Sequence, residues 1–271
     1  MTLTCYPSPG KRKAAKMCRH FAAGSARNGV ESRVAATGRV GLDPGAAFFY
    51  GWTQHTAALI RACVADRRDW FYADNAYYFG RGAYFRVTRN ALMHGGEPAG
   101  DRRGRERFRR FGIEIAPWRK GGRHVVVATQ SELFYRMKLG RTRASWTAET
   151  VRAIAAATDR PIEVCHKPAS GDMARDQAHA PVLEALLEDA WALVTHSSSA
   201  AVAALMRGVP VFCLAPCMAS RMGLRDLARI EAPYLPDDRE PWAWTLAANQ
   251  WTYAEMASGQ CWRELHPQTQ P

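Results

Sequence analysis

The sequence predicts an α/β protein of two Rossmann-like lobes followed by a C-terminal helical segment. Three observations carry that expectation. Apolar runs at 124–129, 162–165, 191–194 and 209–214 alternate with helical stretches, the pattern of a doubly wound parallel sheet buried on both faces. A β-α-β pattern also occupies the region from Ala46 to Ala73. The length of 271 residues accommodates two cores of ordinary size.

Taken in order, residues 1–45 combine Pro7, Pro9, Gly10, Gly24, Gly29, Gly38, Gly41, Pro44 and Gly45 with small and basic residues, which predicts a flexible basic arm. An N-terminal lobe is expected over 46–120. It opens with a strand at Ala46-Ala47-Phe48-Phe49-Tyr50-Gly51-Trp52 and a helix capped by Thr53 and running to about Asp66. A second strand, Trp70-Phe71-Tyr72-Ala73, ends in Asp74-Asn75; an aromatic loop from Tyr77 to Phe85 and a strand from Tyr84 to Thr88 follow, then Arg89. Asp101 is placed to cap a helix holding Arg102 to Arg110, and Gly121-Gly122 reads as the hinge to the next lobe.

That second lobe is expected over 121–240. Its first strand ends in Gln130-Ser131, its second in His166-Lys167-Pro168, and its third in Thr195-His196-Ser197-Ser198-Ser199. Helical composition from Ala200 to Arg207 stops at Gly208, with Pro210 just beyond, and Val209 to Leu214 makes the last strand. A segment of 241–271 completes the chain, with Trp244, Leu246, Trp251 and Met256 read as core.

The net charge of +12 is concentrated: residues 1–33 and 101–123 each carry +6. A localised excess points to a polyanionic partner; the competing reading is a solvated helix face plus a tail. No run approaches the roughly 20 apolar residues that span a bilayer, and no secretory signal is visible at the start. Seven scattered cysteines, with only Cys213 and Cys217 close together, fit reduced thiols in a cytoplasm and supply no zinc pattern.

Open parallel sheets hold ligands outside the carboxyl ends of their strands. Gln130, Lys167, His196, Ser197, Ser198 and Ser199 would therefore converge on one rim, where hydroxyls, a lysine and a helix start favour a phosphate. A plain serine N-cap is the structural alternative. By the same argument Asp74, at a strand's carboxyl end, is the candidate general base, against a turn-forming Asp-Asn pair. Asn75, Arg89, Arg102, Arg103, Arg105 and Arg109 are the candidate acceptor contacts.

His166-Lys167-Pro168, His196-Ser197-Ser198 and Leu205-Met206-Arg207-Gly208-Val209-Pro210-Val211 resemble motifs of the GT-B glycosyltransferases, and more locally of capsule-type Kdo transferases and related polysaccharide enzymes. The resemblance covers residues 160–225, with Lys167 standing where those enzymes have a histidine. It implies transfer of a sugar from a nucleotide-sugar co-substrate, donor phosphates held by the second lobe, and no metal or bound cofactor. The segments Tyr72-Ala73-Asp74-Asn75 and Arg86 to Asn90 do not match those enzymes and look more like a bacteriophage protein. The expected acceptor is accordingly a polyanion, hydroxymethylated pyrimidine in phage DNA ahead of a capsule or surface polysaccharide. A non-enzymatic nucleic-acid-binding protein on a degenerate transferase scaffold is the alternative, and an epimerase or hydrolase using the same cleft is a third.

Overall fold

The structure, a computed structural model, describes residues 1–77, 83–93, 102–167 and 182–265. The chain divides into two compact units, Met1–His94 with Asn249–Pro271, and Gly95–Ala248. Each is a Rossmann-like α/β layer structure.

The first unit begins at once with a buried strand. β1 (Thr2–Tyr6), β2 (Glu31–Val34), β3 (Ala46–Tyr50), β4 (Trp70–Asn75), β5 (Tyr84–Arg89) and β11 (Gln250–Thr252) form one sheet in the order β11-β5-β4-β3-β1-β2. The first four strands are parallel to one another, while β5 joins β4, and β11 joins β5, antiparallel. Alternation along the strands sorts the side chains between two cores. Leu3, Cys5, Phe48, Phe71 and Phe85 face one, and Tyr6, Ala47, Phe49, Trp70 and Tyr72 face the other.

The expected arm over 1–45 is thus corrected. Helix α1 (Arg12–Ala26) buries Ala14, Met17, Cys18, Phe21 and Ala22 against the sheet, at helical spacing. Lys11, Arg12, Lys13, Lys16 and Arg19 lie on its exposed side. The N-terminal charge excess is the solvated face of an amphipathic helix rather than a loose tail. Helix α2 (Gln54–Ala65) covers the opposite face; Thr53 caps it as expected, in a reciprocal capping box with Thr56. The chain's end also belongs to this sheet. β11 pairs with β5, and α9 (Tyr253–Ala257) and α10 (Gln260–Leu265) bring Met256 and Trp262 into the core with Phe21.

The second unit holds β6 (His124–Thr129), β7 (Ile162–His166), β8 (Ala190–Thr195), β9 (Val211–Cys213) and β10 (Gly223–Leu224), all parallel, in the order β10-β9-β8-β6-β7. Strand order reverses between β6 and β8, the place where such sheets open a crevice. Helix α4 (Glu132–Phe134) runs into a π turn at Tyr135–Leu139, and α5 (Arg143–Ala155) follows, capped by Thr142. Residues 182–187 are helical (α6), and α7 (Ala200–Met206) connects β8 to β9. Val125, Val127, Ala192, Val194 and Phe212 pack with Tyr135, Trp146 and Ile154 on one face.

The boundary expected near residue 120 is also corrected. The basic helix α3 (Arg102–Phe111) belongs to the second unit, laid against α8 (Arg239–Ala248). Gly104 makes that approach possible, since a Cβ there would come 2.4 Å from the Trp244 carbonyl oxygen. The expected Asp101 cap, the loops at 94–100 and 168–180, and most of the aromatic loop lie outside the described residues. All seven cysteines are free and buried, and no helix among the described residues is long and apolar enough to cross a membrane.

Candidate functional site

The carboxyl ends of the second unit's strands line up by register. Thr129 of β6 pairs with His166 of β7, Ala128 with Thr195 of β8, and Thr195 with Cys213 of β9. The polar residues just beyond these positions therefore share one rim.

Hydrogen bonds tie the rim together across the β6–β8 reversal. Thr195 Oγ1 donates to the Ala128 carbonyl at 2.7 Å. Gln130 Nε2 donates to Ser197 Oγ at 3.1 Å, and Ser197 Oγ lies 3.0 Å from His196 Nδ1. On the other flank, Thr129 Oγ1 meets His166 Nδ1 at 3.0 Å. The edges of Phe134 and Trp146 lie beside the His196 ring, with centroids 5.4 and 6.3 Å away. Gln130 Oε1 is buried without a partner among the described residues.

The serine turn is more constrained than its composition suggests. Ser198 N donates to Thr195 Oγ1, and Ser198 Oγ accepts from Ala200 N. Ser199 precedes α7 but its side chain caps nothing, and α7 spans only 7 residues. The helix start is a minor part of the site; Gln130, His196 and Ser197 are its connected part. Lys167 stands exposed at the end of the edge strand β7, and its carbonyl accepts from Arg143 Nη1 at 3.0 Å.

The positive charge comes mostly from residues that the strand-end rule does not find. Burial lowers the His196 pKa, and the cations Lys138 and Arg225 lower it further. Burial and then Arg143 lower that of His166. Lys138 sits on the π turn and Arg143 at the first position of α5, where a cation opposes the helix dipole. That unfavourable placement was the one signal for Arg143 in the sequence. Beyond β9, a hydrogen bond from the Cys213 thiol pulls Cys217 down to about 7.

These shifts have a direct consequence for stability. A histidine with a lowered folded-state pKa takes up its proton more readily in the unfolded chain. Its stabilising contribution is present above the unfolded value and is lost as pH falls through the folded one. Melting temperature is therefore expected to decline on acidification below about pH 6.5, with a shallower decline in His196→Gln. A flat profile in the parent protein would show that burial at His166 and His196 exacts no proton-linked cost.

In the first unit the expected contacts do not gather. Asp74 Oδ2 accepts from Tyr72 Oη at 3.0 Å and from Arg86 Nη2 at 2.9 Å, and Oδ1 accepts from Asn75 N at 2.8 Å. Its carboxylate is a strut between β4 and β5. Arg89 sits at the opposite end of β4, in a two-pronged ion pair with Asp69 at 2.8 Å on each prong. In the second unit Arg103 donates to the Ala248 carbonyl, Arg105 lies over Trp244 at 5.0 Å, and Arg109 is exposed. The Arg102 side chain lies outside the described set. The first unit has its own order reversal, between β1 and β3. There the buried Ser8 meets Thr53, with Oγ and Oγ1 2.9 Å apart. A strand end inside Pro7-Ser8-Pro9-Gly10 reads as linker, which conceals Ser8 in the sequence.

Solved structures supply a likeness to this fold. The beta Kdo 2,4 transferase of KpsC from Thermosulfurimonas dismutans aligns over 92% of this chain and 91% of its own, at 15% identity and a TM-score of 0.51. The likeness is one of fold. The beta Kdo 2,7 transferase of the same protein aligns over 97% and 100%, at 11% identity and a TM-score of 0.45. No protein-family model and no curated protein matches the chain.

Proposed function

We propose that the chain is a glycosyltransferase that moves a sugar from a nucleotide-sugar donor to a hydroxyl of a polyanionic acceptor, an acidic glycan. The observation that carries the reading is the rim at the β6–β8 reversal. There the His196 imidazole, held by Gln130 and Ser197, lies within reach of the cations Lys138 and Arg225, and Arg143 acts on His166 at the neighbouring strand end. The principal electrostatic task of this reaction is to stabilise charge growing on the departing phosphate, which fixed donors and cations at one rim can do. The fold shared with a Kdo transferase supports the choice of sugar transfer over other phosphate chemistry.

Lys167, Ser198 and Ser199 fill supporting places around the donor, and Asp74 remains the candidate base only if it releases Arg86. The exposed basic sides of α1 and α3, including Arg105 and Arg109, suit a polyanion. Hydroxymethylated DNA is the competing acceptor.

The test is a thermal-shift and transfer assay with UDP-, CMP- and GDP-sugars, offered acidic oligosaccharide and hydroxymethylated DNA in parallel. One donor is expected to raise the melting temperature and to label the oligosaccharide. Arg143→Ala combined with Lys138→Ala is expected to weaken that donor by roughly tenfold to a hundredfold. No shift and no transfer with any donor would overturn the reading; labelled DNA alone would move the acceptor to nucleic acid.

A further inference from the structure

We propose that Gln130 and Ser197 are positioning residues that hold His196 as a neutral imidazole with its proton on Nε2, so that His196 meets a ligand as a hydrogen-bond donor and not as a cation or a base. The relay is made by the protein's own groups, and only the identity of the ligand rests on the nucleotide-sugar reading above.

Ser197 is 6% exposed, so its hydroxyl finds its partners inside the protein. Gln130 Nε2 donates to Ser197 Oγ at 3.1 Å. The serine hydrogen is then free to donate to its one remaining partner among the described residues, His196 Nδ1, 3.0 Å away. An Nδ1 that accepts carries no proton, which puts the ring hydrogen on Nε2. Nε2 has no partner among the described residues and is available to a ligand.

Reversing the relay would require the Gln130 amide to turn over, so that Ser197 donates to its carbonyl and Nδ1–H donates to Ser197. That arrangement would leave an NH₂ group orphaned in the buried spot now occupied by Oε1. An unpaired amide N–H is the rarer and costlier defect, because a carbonyl already lacks partners for some of its lone pairs in many folded proteins.

The surroundings favour the neutral ring on every side. The charged groups acting on His196 are Lys138 from the π turn and Arg225 beyond β10, both cations. The rings beside it, Phe134 and Trp146, are apolar. Burial is the largest single influence and acts in the same direction. A neutral N–H donor among cations also suits a phosphate oxygen. The cations supply charge, and the imidazole supplies direction without adding a repulsive third charge.

The experiment is long-range ¹H–¹⁵N NMR on uniformly labelled, ligand-free protein at neutral pH, with the His196 signals assigned by loss in His196→Gln. The expected result is a protonated, pyrrole-type Nε2 and an unprotonated, pyridine-type Nδ1. Ser197→Ala is expected to release the ring into a mixture of tautomers. Gln130→Glu is the decisive variant: a carboxylate accepts from Ser197, the hydroxyl reverses, and the proton should move to Nδ1. Addition of inorganic pyrophosphate should shift the Nε2–H resonance in the parent protein.

An imidazolium or an Nδ1–H tautomer in the parent protein overturns the proposal. So does a tautomer in a folded Gln130→Glu that matches the parent. If Gln130→Glu does not fold, the parent spectrum and Ser197→Ala still decide. A protein with the expected tautomer that binds no nucleotide sugar would refute the proposed function and leave the relay standing.

Discussion

Asp74→Ala is expected to lower stability by about 2–3 kcal/mol, because the carboxylate side chain is 27% exposed while that of its Arg86 partner is only 11% exposed. Arg86 is only 9% exposed, and the Asp74 carboxylate raises its pKa against the penalty of burial. Without that carboxylate the largely buried guanidinium keeps its charge with only Tyr72 and the Tyr77 ring, 5.4 Å away, to offset it, and its Nε lacks a partner among the described residues. Tyr72 Oη loses its acceptor in the same step. In a unit of this size the melting temperature should fall by roughly 10 °C. Asp74→Ala combined with Arg86→Met should recover much of the loss, because an apolar pair of similar volume replaces the ion pair at little cost.

Asp74→Asn separates structure from chemistry. The amide keeps an oxygen to accept from Tyr72 and Arg86, so its thermal cost should be smaller. A stable Asp74→Asn that has lost all transfer would make Asp74 the general base after all; a stable variant that transfers normally would fix its role as the strut. An Asp74→Ala protein that melts with the parent would remove the strut.

The contrast between Asp74 and the Thr195–Gly208 stretch shows what composition and spacing can carry. The third lobe strand, its polar end, the helix, Gly208 and the strand after Pro210 were all legible, because each depends on residues adjacent in the chain. Asp74 meets Arg86 through the register of an antiparallel pair, and register is invisible in a single strand's composition. The same is true of Gln130 and Ser197, 67 residues apart. They were placed on one rim by the strand-end rule, but their bond follows from β6 lying beside β8.

Residues 1–45 failed for a different reason. Pro7, Pro9 and Gly10 punctuate a strand end and a helix start here, and punctuation of that kind also marks linkers. The spacing of Ala14, Met17, Cys18 and Phe21 was the available signal, diluted by the basic residues between them. The charge itself misled in a similar way. Arg103 and Arg107 of the basic segment are partly or wholly buried, where they serve packing and helix ends as much as any partner.

Gly208→Ala is expected to cost about 3 kcal/mol or more, the second large effect in the chain. Gly208 has φ +71°, a left-handed conformation that a side chain resists, and a Cβ there would stand 2.0 Å from the Pro117 carbonyl oxygen. The atom in the way is backbone, and it is held. Ala116 N donates to Met206 O at 2.9 Å, and Arg119 N donates to Gly208 O at 3.0 Å. Relief therefore means separating the 116–119 segment from the end of α7. Because α7 leads directly from Ser197, Ser198 and Ser199, the displacement should reach the rim and weaken nucleotide-sugar binding as well as lower the melting temperature. Gly112→Ala is the internal control. Gly112 also has a positive φ, +62°, but nothing lies within 4 Å of its Cβ. It should lose only about 1 kcal/mol, the conformational part alone, and leave donor binding unchanged. Equal losses for the two substitutions would mean that the contact with Pro117 carries no weight and that left-handed strain accounts for both.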